Sequence, residues 1–93
     1  MSNILIKIHS AKYYDEWGAI IYYVIKCTID GRPENLRYYT SDIKKYIGKI
    51  IVGNVYTSSF MAKSEHMSFK HLSKIVRLSN AMDVFLSRRS LGV

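Results

Sequence analysis

Two runs of alternating residues near the start of the chain constrain its fold more than any other feature. In the first, Ile4 to Tyr14, the side chains of Ile4, Ile6 and Ile8 fall on one side, and those of Leu5, Lys7 and His9 on the other. A period of two marks a half-buried strand. The second run, Ala19 to Ile29, is dense in Ile, Tyr, Val and Thr, residues that fit a pleated sheet. It puts Ile21, Tyr23, Ile25, Cys27 and Ile29 on one face and Ile20, Tyr22, Val24, Lys26 and Thr28 on the other. Asp15-Glu16-Trp17-Gly18 interrupts the alternation, and Gly18 can take the positive φ of a tight turn. The two runs therefore predict a hairpin.

Further along, Asp30-Gly31-Arg32-Pro33 signals a turn, and a third strand is expected over Asn35 to Thr40. The period then changes. Ser41-Asp42 suits an N-cap and first turn, Ile43, Tyr46 and Ile47 fall three and four apart, and Gly48 stands at a C-cap. This predicts a short helix over 41–47. Ile50 to Val52 is apolar, Gly53-Asn54 breaks it, and Val55 to Ala62 resumes a strand. Lys63 to His66 reads as a loop and Met67 to Leu78 as the last strand. A short C-terminal helix is expected over 80–89, with an apolar stripe of Met82, Phe85 and Leu86 and with Arg88 and Arg89 near its negative end.

The expected fold class is mainly β: a small five-stranded OB-like barrel with a short helix between strands 3 and 4 and a short C-terminal helix. An SH3-like barrel or an α+β roll fits the same order of elements. At 93 residues the chain forms one domain, 1–93. Cys27, the only cysteine, excludes an intramolecular disulfide and reads as a small apolar strand residue, which suits a cytoplasmic location. The N-terminal residues lack the apolar block of a signal peptide, and no apolar run reaches membrane-spanning length, so no membrane partner is expected.

Catalysis has no signature here. His9, His66 and His71 match no metal-ligand spacing, Asp15-Glu16 reads as a solvated turn, and there is no P-loop, dinucleotide fingerprint or nucleophile elbow. No enzyme activity, metal or cofactor is expected. What does stand out is charge and aromaticity. Fourteen Lys and Arg against seven Asp and Glu give a formal charge of +7, which attracts polyanions. Of eight tyrosines, six form the doublets Tyr13-Tyr14, Tyr22-Tyr23 and Tyr38-Tyr39, interleaved with Lys7, Lys12, Lys26, Arg37, Lys44 and Lys45. Neighbours in a strand face opposite sides, so one tyrosine of each doublet can fill the core while the other stands on the open face.

Bases stack on such rings whatever their identity, and Lys or Arg neutralise the phosphates. The expected function is non-catalytic binding of single-stranded nucleic acid, DNA first. Trp17, Tyr22 and Tyr38 are the expected stacking residues, and Lys7, Lys26, Arg37, Lys44 and Lys45 the expected backbone contacts. Tyr23 and Tyr39 are then core residues, and a one-residue register change exchanges the two sets. The alternative is a small basic inhibitor or adaptor that docks on an acidic protein, since Tyr and Arg are also enriched at protein interfaces.

Val55-Tyr56-Thr57-Ser58-Ser59-Phe60, a turn, then Met67-Ser68-Phe69 and Ile75-Val76-Arg77-Leu78 resemble the closing hairpin of the small single-stranded DNA-binding proteins of phages and plasmids, of the filamentous-phage gene five type. The likeness covers about a third of the chain. It implies an OB-fold homodimer that coats single strands without sequence preference, and an origin in a phage or mobile element. The predicted helices at 41–47 and in the tail depart from that type and point more broadly to OB-fold binders.

Overall fold

A computed structural model describes residues 3–16, 20–62 and 64–80, with the backbone alone at 16, 20, 60 and 62. Trp17, the turn at Gly18 and the tail helix expected beyond Asn80 lie outside these residues. The described residues form five strands: β1 (Asn3–Glu16), β2 (Ile20–Ile29), β3 (Arg32–Tyr38), β4 (Ile50–Ala62) and β5 (Glu65–Leu78). They close a barrel in the order β1-β2-β3-β5-β4, with β1 also paired to β4. All neighbours are antiparallel except β3 and β5, which run parallel and meet at a single bridge, Arg37 to His71. The fold is thus mainly β with little helix, consistent with the OB-like barrel expected.

Alternation decides which side chains enter the barrel. Ile6, Ile8, Ile25, Leu36 and Ile51 are fully buried, and Tyr23, Cys27 and Leu72 join them. Each buried aliphatic side chain of this size contributes ~1.5–3 kcal/mol relative to exposure. Cys27 packs as a small apolar group, and desolvation first, then the Glu34 carboxylate, pushes its thiol up to about 11.

Four local expectations change. The segment 41–47 forms a 3-10 helix, Ser41–Tyr46, preceded by Thr40, which makes no side-chain cap bond; Ser41 is not the cap. Such turns are frequent as connectors between elements, and Ile43 anchors this one in the core. Gly48 does leave it with φ +84, as a C-terminal glycine should. Second, Asp30 (φ 52) and Gly31 (φ 75) alone make the β2–β3 turn, a two-residue connection with both φ positive, so β3 begins at Arg32 rather than Asn35. Third, Gly53-Asn54 does not break β4. The strand runs through it with register shifts on both sides. A Cβ at Gly53 would lie 2.9 Å from Leu72 Cδ1 and 3.0 Å from the Lys74 carbonyl oxygen. Glycine is there for close approach, not for a turn. Fourth, β5 starts at Glu65, two residues before the expected Met67.

Candidate functional site

Register places the outward side chains of β1, β2 and β3 in rows. Tyr14 pairs with Tyr22, Lys12 with Val24, and Ser10 with Lys26. Val24 in turn pairs with Arg37, and Lys26 with Asn35. The first row is aromatic and the next carry Lys12, Arg37 and Lys26. Lys7, opposite Thr28, continues the basic side of this face.

The aromatic row continues around the barrel. Tyr14 stacks on Tyr22 with 5.5 Å between centroids and 12° between planes. Tyr22 contacts Tyr39 at 6.3 Å, Tyr39 stacks on His71 at 6.2 Å, and His71 stacks on Tyr56 at 4.7 Å. Tyr14, Tyr22, His71 and Tyr56 sit on β1, β2, β5 and β4, and Tyr39 follows β3 directly, so four strands and the residue after the fifth each supply one ring to a continuous belt. Tyr14, Tyr39 and Tyr56 are exposed (37%, 49% and 40%), whereas Tyr22 and His71 are 6% exposed and lie beneath them.

Cations are built into the belt. The Lys12 ammonium stands 5.3 Å from the Tyr14 ring centroid. The Arg37 guanidinium carbon stands 4.9 Å from that of Tyr22 and 3.8 Å from that of Phe69. Held by two rings, the guanidinium is pre-organised, and stacked Arg keeps its edge donors for phosphate. His71 and the Ser58 hydroxyl share a hydrogen bond of 2.7 Å from Nε2, while Nδ1 is buried with no partner. Burial, then the Arg37 charge, holds the His71 pKa below its ordinary value, which keeps the ring neutral.

The expected site residues therefore divide. Tyr22 does face outward but is covered by Tyr14, Tyr39 and Arg37, so it supports the belt from below. Tyr38 is corrected: it is 6% exposed and belongs to the core, while its neighbour Tyr39 is on the surface. The reason is parity. Leu36 is inward, so Tyr38 must be inward as well. Tyr23 is in the core as expected. Lys7, Lys26 and Arg37 lie on the belt's face, whereas Lys44 and Lys45 are exposed on the 3-10 helix and not on the sheet. Trp17 lies outside the described residues.

Sequence reasoning missed Tyr14, Tyr56, Phe69 and His71. His71, which matched no ligand spacing, is a buried ring in the stack. Tyr14 was legible, because the hairpin pairs it with Tyr22. Tyr56 and His71 were not, since their place depends on the parallel contact of β3 with β5. Among the described residues, no group of three or more His, Cys, Asp or Glu could hold a metal ion, and no helix is long and apolar enough to cross a membrane. No protein-family model, curated protein or solved structure matches this chain.

Proposed function

We propose that the chain is a non-catalytic, single-stranded nucleic-acid-binding protein on an OB-type barrel. The observation that carries the reading is the belt Tyr14–Tyr22–Tyr39–His71–Tyr56, with exposed rings on three strands or strand ends and cations stacked into it. Unpaired bases offer faces to such rings at ~1–3 kcal/mol each, whereas a duplex hides them. The charge of +7 supplies attraction to the phosphates. The helix among the described residues is a six-residue 3-10 turn, too short to serve as a major-groove recognition helix.

The test is a fluorescence titration with labelled oligodeoxythymidine and with a duplex of equal length, at two salt concentrations. The single strand should bind at least about tenfold more tightly, and each phosphate contact should contribute about −0.7 to the log–log salt slope. Equal affinities would reduce the contact to phosphates and defeat the stacking model. No binding at either salt would leave the basic face to an acidic protein partner.

A further inference from the structure

Because the backbones of β3 and β5 pair only at Arg37 and His71, the two strands part on the N-terminal side of that bridge and leave a groove of about 450 Å³. Arg37, Phe69, Val24 and Ser68 contribute to its walls, and Glu34 and Lys70 also line it, joined by a 2.7 Å salt bridge between Oε1 and Nζ. The groove is continuous with the belt, since Arg37 touches both the Tyr22 and Phe69 rings. Glu34 is anomalous in this setting. It is a carboxylate whose side chain is about three-quarters buried, held by Lys70 in the site of a strongly basic protein.

We propose that the groove receives one guanine base of a bound single strand, with Glu34 and Lys70 reading its Watson–Crick edge; this rests on the single-strand reading above. Guanine alone among the four bases puts two N–H donors, N1 and the 2-amino group, beside a carbonyl acceptor, O6. A carboxylate accepts two parallel N–H bonds, and a lysine ammonium donates to O6. The ammonium has three donors, so it holds Glu34 and O6 together. Arg37, clamped between two rings, turns its edge to the phosphate of the same nucleotide. Thymine offers one N–H between two carbonyls. Adenine and cytosine each offer a single amino group, which uses half of the carboxylate.

The test uses the full chain and an oligodeoxythymidine of ~10 residues, inside the ~4–16-nucleotide span of one OB fold. One central thymidine is replaced in turn by deoxyguanosine, deoxyadenosine, deoxycytidine or deoxyinosine. The guanine oligomer should bind about tenfold more tightly than the parent, the gain of one good bidentate contact. Adenine, which stacks as well as guanine, should give less than a threefold gain by this reasoning, as should inosine, which lacks the 2-amino group. Glu34→Ala should abolish the guanine preference while oligodeoxythymidine binds at least as tightly as before, since loss of the carboxylate frees Lys70 for phosphate. Equal affinity for all four bases, or a guanine preference that survives Glu34→Ala, overturns the base pocket and leaves the single-strand reading standing. Failure of every oligomer to bind defeats both.

Discussion

The imidazole of His71 lies nearly parallel to the phenol ring of Tyr56, with centroids 4.7 Å apart and 11° between the planes. It also stacks with Tyr39, so an uncharged histidine joins the rings of β4 to those of β3 across the barrel's closing seam. Charging it would place a cation among buried rings and beside Arg37. Both disfavour the proton.

Stability should therefore depend on pH through this residue. The unfolded chain takes up the proton near the ordinary value of 6.5 while the folded chain resists it. The contribution is complete above 6.5 and is lost as pH falls toward the lowered folded value, below which it is flat. Thermal melts from pH 8 to 5.5 should show a falling Tm, and His71→Phe, which keeps a stacked ring, should flatten that slope. Equal slopes in both proteins would assign the effect elsewhere.

The doublet Tyr38-Tyr39 separates stability from binding. Tyr39→Ala should cut oligodeoxythymidine affinity by ~1–3 kcal/mol with the Tm almost unchanged. Tyr38→Ala empties part of the core and should cost ~3–5 kcal/mol in a denaturant titration. If Tyr39→Ala binds as well as the parent, the belt is not a stacking platform.

Arg37 should show in the salt dependence. Arg37→Ala should make the log–log slope shallower by about 0.7, the share of one phosphate on a single strand. Arg37→Lys should restore the slope but only part of the affinity, because an ammonium does not reproduce the planar stack on Tyr22 and Phe69. An unchanged slope in Arg37→Ala would mean that its guanidinium touches no phosphate.

Gly53→Ala should destabilise the fold by ~1–3 kcal/mol through overpacking. The new methyl meets Leu72 Cδ1 and a backbone oxygen that has little freedom to move. A lower midpoint in urea with an unchanged slope is the expected result. A neutral outcome would show that β4 relaxes around the methyl at no cost.

The sequence carried the fold further than it carried the site. Period-two alternation in β1 and β2 named the inward faces correctly, since Ile6, Ile8, Ile25 and Cys27 lie in the core. Gly53 was misleading because a glycine chosen for close packing looks, in one dimension, like a glycine chosen for a turn. For the site, Arg37 and Lys26 follow from strand parity, and Tyr39 would have followed from the same parity had Leu36 been used to set it. His71 and Tyr56 required the barrel to close, because β3 and β5 are distant in sequence and share no turn whose chemistry could announce their pairing.

The lone bridge between β3 and β5 also shapes how the molecule opens. The meander β1–β2–β3 and the hairpin β4–β5 are each built from pairings between strands adjacent in sequence. The ladder of β1 on β4, from Asn3–Asn54 to Lys7–Ile50, joins them on one side like a hinge. The opposite seam is held by one backbone bridge, so it should be the first to open, and amide protons near Arg37 should exchange through partial openings far cheaper than global unfolding. A ligand lying across that seam would latch the two units together. Its protection would then reach backbone amides well beyond those it touches.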